Sequence, residues 1–497
     1  MSAIISALAR HSAMQPQRKA VEDCRGALDY AELRCRVLAA AAQLRQSTKG
    51  TVALAMDNSV AWVISDLALR AADLPCLPLP PFFTPAQQCH ALRDAGAAWL
   101  LSDLPAVHAA MLRQQGITAE RVGDLALGQR SIAQFRLSTI PVALPAGTAK
   151  ITYTSGTTGA PKGVCLSAAA IETVAAALAT ATQMTPEDCH AGLLPLATLL
   201  ENIGGVYAPL LAGAGVRPAA MTSPGAAGSC GMSMAKALDG ATTTILVPQM
   251  LQQLLTLVST GTLRPDTLRF AAVGGARVAP DLLRRAAAAG LPVFEGYGLS
   301  ECASVVTLNT PQACRSGSVG RPLPHVHIGI AGDGEILVSG GGFLGYAGQN
   351  REPERFWPTG DLGRLDEDGF LHLTGRKKDI FITAFGRNVS PEWIESELDL
   401  QPAVSRSWVH GEARPWNAAV VVAEPGATPR DIDAAIAATN RRLPAYAMVR
   451  HWLPAMEAFN AANGELTSNG RLRRDVIAAH YLPLIDRLYL EHALEFS

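Results

Sequence analysis

The chain has 497 residues, of which 48% are hydrophobic and 17% are charged. This composition is typical of a packed globular protein and excludes a disordered one, and the length predicts at least two domains. With 42 Lys and Arg against 43 Asp and Glu, there is no bulk charge to attract nucleic acid or an anionic membrane.

The nine cysteines are scattered and form no C-x-x-C pair, which favours free thiols in a reducing compartment over a disulfide framework or a zinc site. The first twenty residues carry their charges after the apolar stretch, so they predict an amphipathic helix and not a signal peptide. The sequence has no apolar run of 18 residues, so we expect no membrane span and a cytoplasmic location.

The first 310 residues alternate between helix-like and strand-like patterns. Residues 31–45 have helical spacing, 51–56 are a short apolar strand, and 59–72 predict the next helix. The Pro-rich stretch 74–85 predicts a loop. Such alternation predicts an α/β architecture built of layers.

From residue 318 the pattern changes to strands and tight turns. Residues 325–340 and 363–373 each predict a hairpin, and Asp366 and Asp368 in the second are interpreted as turn formers. A polar joint, a strand and a glycine turn then precede a helix, with Ser390 expected as its N-cap.

The stretch "YTSGTTGAPKG" (residues 153–163) holds five hydroxyl residues, three glycines and one lysine. Glycines let backbone N–H groups approach an anion closely, hydroxyls add donors, and Lys162 adds a positive charge. The stretch lies between two predicted strands and does not match the G-x-x-x-x-G-K-[ST] pattern. It therefore predicts a phosphate-binding loop of another type, the alternative being a flexible linker.

This loop resembles the phosphate loop of the adenylate-forming superfamily, and further motifs follow in the same order as in that family. "EGYGLSE" (295–301) resembles its adenine and magnesium motif, "PTGD" (358–361) its ribose motif, and "GRKKDIFITAFGRNVSPEWIE" (375–395) its hinge and second-domain loop. "LTSNGRLRR" (466–474) resembles the T-x-x-G-K-x-x-R segment. The resemblance covers roughly residues 25–475 and is nearest to long-chain fatty acyl-CoA synthetases.

The resemblance implies a large N-terminal domain of α/β layers with a small barrel-like sheet (1–377) and a small mobile α+β lid (378–497), with the hinge near 377–378. It also implies an AMP-forming acyl-CoA synthetase that converts a fatty or other apolar acid and ATP into acyl-AMP and pyrophosphate. The acyl group then passes to the thiol of coenzyme A. ATP, Mg²⁺ and coenzyme A are the implied small molecules.

The same resemblance assigns residues to roles. The phosphates of ATP would be held by Thr154, Ser155, Gly156, Thr157, Thr158, Gly159 and Lys162. Adenine and ribose would be bound by Gly275, Ala276, Glu295, Gly296, Tyr297, Asp361 and Arg376, with Tyr297 stacked on the base and Asp361 accepting from the ribose hydroxyls. Tight strand–helix packing is the alternative for Gly275 and Ala276.

Further roles concern catalysis, the acyl group and domain movement. Arg471, Lys162, Ser300 and Glu301 would be catalytic, with Glu301 as the Mg²⁺ ligand and Ser300 bonding the α-phosphate in place of the usual threonine. Thr198, Gly275 and Gly298 would border the acyl pocket and its gate. Lys378 matches the hinge, and Gly386 would approach the pantetheine arm.

Two residues depart from the family pattern. Thr198 stands where long-chain members usually carry histidine, which leaves the acyl preference open. Arg471 stands where the family has the lysine that bridges the acyl carboxylate and the α-phosphate. Arginine keeps the charge but has a larger, planar head, so Arg471 acts directly, another cation takes over, or adenylation is impaired.

Three functions stay open at this point. The first is the acyl-CoA synthetase, which is favoured because residues 301 to 361 leave little room for the insertion that blocks domain rotation in fatty acyl-AMP ligases. The second is a ligase that loads the phosphopantetheine of an acyl carrier protein. The third is a non-catalytic adenylate-binding protein, for which Arg471 is the only support.

Overall fold

The computed structural model describes residues 2–127, 130–154, 161–221, 229–349, 354–467 and 470–492. Two large sheets form the core of the N-terminal region. The first runs, in spatial order, through Arg321–Pro322, Ser304–Leu308, Val293–Leu299, Phe270–Val273, Thr243–Leu246, Cys189–Gly192, Gly215–Pro218, Lys19–Asp23 and Gly26–Asp29. The second runs through Phe343–Tyr346, Lys162–Ser167, Thr148–Thr154, Cys76–Pro78, Val52–Ala55, Trp99–Ser102, Arg130–Leu137 and Ala119–Leu127.

A third, antiparallel sheet completes the large domain. It consists of His327–Ile330, Glu335–Ser339, Trp357–Leu365 and Leu371–Arg376. The helices of the large domain are Ala3–Met14, Tyr30–Ser47, Val60–Ala72, Pro85–Asp94, Pro105–Gln114, Ala168–Ala181, Leu199–Glu201, Ala208–Ala212, Ser229–Leu238, Pro248–Ser259 and Pro280–Ala288. A π-helical turn, Asn202–Tyr207, and a 3₁₀ turn, Ser300–Cys302, interrupt this regular pattern.

The chain from Phe381 onward forms a smaller domain. Its strands are Phe381–Ile382 paired with Asn388–Val389, and a separate sheet of Val404–His410, Asn417–Ala423 and Val449–Pro454. Its helices are Pro391–Leu398, Pro429–Asn440 and Arg474–Glu491, with a 3₁₀ turn at Ala445–Ala447. The predicted α/β fold, with a large N-terminal and a smaller C-terminal domain, is confirmed.

Local sequence signals explain where several helices begin. Asp29 caps Tyr30–Ser47 in a reciprocal capping box with Glu32, and Ser59 accepts from the Trp62 amide at the start of Val60–Ala72. Trp62 is fully buried between the layers. Short polar caps therefore position long apolar helices that cover the sheets.

One local prediction was wrong, and another was confirmed. The Pro-rich stretch expected to be a loop contains the buried strand Cys76–Pro78, because parallel pairing with Val52–Ala55 outweighs the local turn signal. Ser390 does occupy the N-cap position of Pro391–Leu398, but its side chain makes no capping hydrogen bond. Among the described residues, no helix combines the length and apolarity needed to cross a bilayer.

Candidate active site

The candidate site lies where parallel strands of the first sheet end. Phe270–Val273 and Val293–Leu299 are parallel neighbours, and Val273 is paired with Glu295. The second strand is antiparallel to its other neighbour, Ser304–Leu308, so the strand direction changes here. Ligands of open α/β sheets bind at the carboxyl ends of strands beside such a change.

The predicted phosphate loop joins two antiparallel strands, as expected from the sequence. Thr154 at the end of the first strand is paired with Lys162 at the start of the second. Five of the predicted phosphate ligands lie outside the described residues: Ser155, Gly156, Thr157, Thr158 and Gly159. The side chain of Lys162 is exposed, and its Nζ lies 5.4 Å from the centre of the Tyr346 ring.

Glu301, the predicted metal ligand, lies in the 3₁₀ turn that Ser300 begins. Tyr346 Oη donates a hydrogen bond to Glu301 Oε1 at 3.0 Å. Tyr346 therefore contacts both the predicted metal ligand and the lysine of the phosphate loop. Aromatic contacts with Phe343 and Trp357, whose ring centroids lie 5.0 and 6.1 Å away, hold its ring in place.

Three of the predicted nucleotide-binding residues form one connected group. Asp361 Oδ2 accepts from Tyr297 Oη at 2.7 Å, and Asp361 Oδ1 accepts from Arg376 Nε at 2.9 Å. Asp361 and Arg376 are direct cross-strand partners, so sheet register alone makes them neighbours. Burial, followed by the charge of Asp361, raises the pKa of Tyr297 far above its usual range, which keeps its hydroxyl a donor.

Arg471 reaches the strand end from the smaller domain. Its Nη2 donates to the carbonyl oxygen of Gly275 at 2.7 Å. Gly275 has φ of +79°, a conformation that glycine adopts without strain, and a Cβ there would meet only Val247 at 3.8 Å. Glycine at 275 therefore reflects the backbone turn that presents this carbonyl, and not close packing.

Arg471 belongs to a short hairpin, which we call the lid hairpin (residues 466–467 and 470–472). Leu466 and Leu472 form an antiparallel bridge, and the amide of Arg471 donates to Thr467 Oγ1 at 2.9 Å. The next helix begins at Arg474, whose Nη1 and Nη2 donate to the buried Glu395 at 2.9 and 2.5 Å. This ion pair ties the hairpin to the body of the smaller domain.

Charged groups of both domains meet around the site. Burial raises the pKa of Glu295 to about 8, although Arg277 and the Val278 amide favour its ionised form. Burial also raises the pKa of Glu392, against the attraction of Arg474 and Arg376. At neutral pH the Glu295 side chain is therefore largely protonated, which lowers the negative charge of the cleft.

The predicted gate residue Thr198 begins the segment that leads into the π-helical turn. Its Oγ1 donates to the carbonyl of Pro195 at 2.7 Å, so its hydroxyl stays within its own turn. The fully buried Glu201 accepts from the Leu194 amide at 3.3 Å and lies 3.0 Å from His190 Nε2. Glu201 thus joins the two ends of the segment 194–201, a contact that was not predicted from the sequence.

Other predicted glycines have different physical reasons. A Cβ on Gly298 would come within 1.6 Å of the Ser304 carbonyl oxygen, and one on Gly296 within 3.0 Å of Leu308. The adjacent strand therefore excludes a Cβ at Gly298 and leaves little room for one at Gly296, and the expected pocket role of Gly298 has no contact in its support. Ala276 follows Gly275 and is exposed.

The predicted hinge and thiol-channel residues lie at the junction and on the smaller domain. Lys377 forms ion pairs with Asp333 and Glu335 of the large domain at 2.6 and 2.8 Å, and the exposed Lys378 follows it. Gly386 has φ of +72° and open space around its α-carbon. Phe385 beside it is 74% exposed, so this turn faces solvent in this arrangement of the domains.

The residues present fit Mg²⁺ bound together with a triphosphate. Mg²⁺ is commonly held by one or two carboxylates plus substrate phosphates and waters. Within the described residues, no group of three or more His, Cys, Asp or Glu side chains forms a metal site of its own. A single carboxylate, Glu301, beside the lysine of a hydroxyl-rich loop matches such shared coordination.

Tyr346 and Trp357 were not predicted, because residues 301–361 were interpreted only through their length. The signal was the aromatic spacing in "GFLGY" and "RFW", next to the predicted ribose motif. Arg277 and Glu392 were also missed, since only the meeting of the two domains brings them together. No local pattern marks such pairs.

Family models match both parts of the chain. Residues 8–346 match the AMP-binding enzyme model, and residues 378–493 match the AMP-binding enzyme C-terminal domain. The chain is 35% identical over 251 residues to the long-chain-fatty-acid–CoA ligase FadD15 of Mycobacterium bovis, covering 44% of this chain and 42% of the relative. It is 33% identical over 288 residues to the 2-succinylbenzoate–CoA ligase of Bacillus mycoides, covering 53% and 56%.

Each match thus spans only about half the length of these curated relatives. Solved structures match over nearly the full length. ATP-bound MatB from Rhodopseudomonas palustris is 27% identical with a TM-score of 0.76, covering 97% of this chain and 99% of the other. The anthranilate CoA ligase AuaEII is 18% identical with a TM-score of 0.79, covering 97% of each chain, and therefore shares the fold. Since the first family model covers more than half of the chain, the chain belongs to the AMP-binding enzyme family.

Proposed function

We propose that this chain is an AMP-forming acyl-CoA synthetase acting on a fatty or other apolar carboxylic acid. The acid carboxylate attacks the α-phosphate of ATP, which gives acyl-AMP and releases pyrophosphate. The thiol of coenzyme A then attacks the acyl carbon, which gives the thioester and releases AMP. The relatives include a long-chain-fatty-acid–CoA ligase and a 2-succinylbenzoate–CoA ligase, and the first of these favours an apolar acid.

The hydrogen bond from Arg471 to the Gly275 carbonyl carries this proposal. It brings a cation of the smaller domain to the strand end next to the Tyr297–Asp361–Arg376 group. Adenylation joins two anions, so a fixed positive charge at their junction stabilises the transition state. Arg471 would act there directly, gripping carboxylate or phosphate oxygens with its planar head.

The remaining residues divide along the nucleotide. Asp361 and Arg376 would bind ribose, Tyr297 would pack on adenine, and Ser300 would bond the α-phosphate. Lys162 and its loop would hold the terminal phosphates. Mg²⁺ bound at Glu301 would neutralise charge on the departing pyrophosphate.

We further propose that the domains divide between Lys377 and Lys378. Lys377 is tied to the large domain by two ion pairs, which supports a boundary directly after it. Rotation about Lys378 would withdraw Arg471 after adenylation and bring Gly386 toward the acyl-AMP for thioester formation. The exposed position of Phe385 and Gly386 suits a turn that waits outside the site.

A panel of carboxylic acids tests the proposal. Purified protein is assayed for acid-dependent ATP–pyrophosphate exchange, and for AMP release with coenzyme A or with a holo acyl carrier protein. We expect exchange with apolar acids and thioester formation with coenzyme A. If no acid supports exchange, the proposed adenylation is wrong. If the acyl group passes to the carrier protein much faster than to coenzyme A, the proposed acceptor, coenzyme A, is wrong. The cytoplasmic location stays a prediction that cell fractionation would check.

A further inference from the structure

The strand Phe343–Tyr346 pairs antiparallel with Lys162–Ser167, the strand that leaves the phosphate loop. Tyr346 is opposite Val164, and the Ala347 amide donates to the Gly163 carbonyl at 2.8 Å. Side chains two residues apart on a strand share a face, so Lys162 and Tyr346 are diagonal neighbours on one face. The register thus fixes the Tyr346 ring beside Lys162.

Tyr346 also contacts Glu301, which lies in the 3₁₀ turn between two strands of the first sheet. Its Oη donates to Glu301 Oε1 at 3.0 Å, while Lys162 Nζ lies 5.4 Å from its ring centre. A cation over an aromatic ring is attracted by the negative face of the ring. One side chain therefore contacts an anionic and a cationic group of the proposed phosphate end.

The ring itself has little freedom to move. Phe343 and Trp357 pack against it, and Phe343 and Trp357 contact each other with ring centroids 4.8 Å apart. Trp357 begins the strand that carries Asp361. This aromatic group joins the strand of the phosphate loop to the strand of the proposed ribose carboxylate.

We propose that Tyr346 is a positioning residue that orients Glu301 for Mg²⁺ and holds Lys162 over the terminal phosphates, an inference that rests on the proposed function. Its hydroxyl occupies one carboxylate oxygen and leaves the other free to turn toward a metal. Its ring limits the rotamers of a long, exposed lysine, which otherwise loses conformational entropy when it binds phosphate. Lys162 and Glu301 are thereby arranged before the nucleotide arrives.

Calorimetric titration of the full chain with ATP tests this, once with MgCl₂ and once with EDTA, and without any acid. Tyr346→Phe removes only the hydroxyl, and we expect Mg·ATP affinity to fall roughly 10-fold or more, as for loss of a hydrogen bond to a charged group. Affinity for metal-free ATP should stay nearly unchanged. Tyr346→Leu also removes the ring, and should weaken the binding of metal-free ATP by about 2- to 5-fold.

Two further variants separate positioning from general damage. Tyr446→Phe, at a tyrosine of the smaller domain that is 44% exposed, should match the wild type in both titrations. In a Glu301→Gln background, Tyr346→Phe should cost little more Mg·ATP affinity, because both changes remove the same interaction. If the losses of Mg·ATP affinity from the two substitutions add in the double variant, Tyr346 does not act through Glu301.

The outcomes also separate this inference from the proposed function. If the wild type shows acid-dependent pyrophosphate exchange and Tyr346→Phe keeps the full Mg²⁺ dependence of ATP binding, the positioning role is wrong and the function stands. If the wild type binds ATP equally well with and without Mg²⁺, both fail. Loss of Mg·ATP affinity in Tyr346→Phe, with exchange absent for every acid, supports the role of Tyr346 and contradicts the function.

Discussion

The two ends of the candidate site are built in different ways. At the proposed nucleoside end, Tyr297, Asp361 and Arg376 come from strands of the large domain, and strand register makes the last two neighbours. At the proposed acyl–phosphate end, Arg471 comes from the lid hairpin and contacts Gly275 of the large domain. The contacts of the first end all lie within the large domain, whereas the contact of the second joins the two domains.

This difference predicts how each end responds to mutation. Changes at the nucleoside end should alter binding of ATP, because that group is present in the free enzyme. Changes in the lid hairpin should alter the rate of adenylation, because the proposed function places its cation at the reacting groups for that step. The following predictions test this division, from the largest expected effect to the smallest.

Arg471→Ala should lower the adenylation rate about 10²- to 10³-fold, as for loss of one group that stabilises transition-state charge. The KM for ATP should change much less. Arg471→Lys should also lower the rate, since an ammonium cannot bond the Gly275 carbonyl and the substrate with the same fork. Single-turnover formation of acyl-AMP measures both, with Arg473→Ala as the neighbouring control.

A large rise in rate for Arg471→Lys would contradict this expectation. It would show that the native arginine limits the chemistry, and that the site is not built around its planar head. Equal rates for Arg471→Ala and the wild type would show that another cation acts at the junction.

Asp361→Asn should weaken ATP binding by about 10- to 100-fold, because a buried carboxylate with two charge-assisted or polar partners is lost. The variant leaves Arg376 without its anionic partner. Titration calorimetry with ATP measures the change, and Asp266→Asn, at an exposed position, is the control. A lower adenylation rate with unchanged ATP affinity would contradict the proposed division of roles.

Glu295→Gln should change the pH dependence of stability. Burial raises the pKa of Glu295 to about 8 in the folded chain, from 4.5 for the free side chain. Between these values the unfolded state loses the proton while the folded state keeps it, so the free energy of unfolding falls as pH rises through this window. The glutamine does not ionise and should remove this fall.

At pH 8 the free energy of unfolding of Glu295→Gln should exceed that of the wild type by about 1–2 kcal/mol. The difference is no larger because partial contact with water lowers the cost of burying the ionised carboxylate. At pH 4.5 the two proteins should differ little from this source. Denaturant unfolding at several pH values measures it. A constant difference between the two proteins across the window would contradict the raised pKa.

Arg442→Ala should have the smallest effect. Arg442 of the smaller domain lies 3.3 Å from Glu397 in its own domain and 3.7 Å from Asp281 of the large domain. A half-exposed ion pair contributes about 0–1 kcal/mol, so closure should weaken by at most about 5-fold. Energy transfer between dyes on the two domains measures closure, and the effect should vanish at high salt.

Several features followed from sequence because their signals are local. The helices Tyr30–Ser47 and Val60–Ala72 appear where apolar spacing predicts them. The predicted phosphate loop joins two strands as expected, since its glycines and hydroxyls interrupt two apolar β patterns. The strand Cys76–Pro78 was missed because its prolines suggest a loop, and only pairing with a distant strand overrides them.

The sequence by itself determined the fold class, the order of motifs, and the presence of Arg471 where the family has lysine. The tertiary structure decided which groups touch: Asp361 with Tyr297 and Arg376, and Arg471 with Gly275. It also identified Tyr346, whose partners are 45 and 184 residues away in the chain. Local patterns report caps, turns and periodicity, whereas contacts across sheets and domains depend on register and closure, which no short stretch of sequence contains.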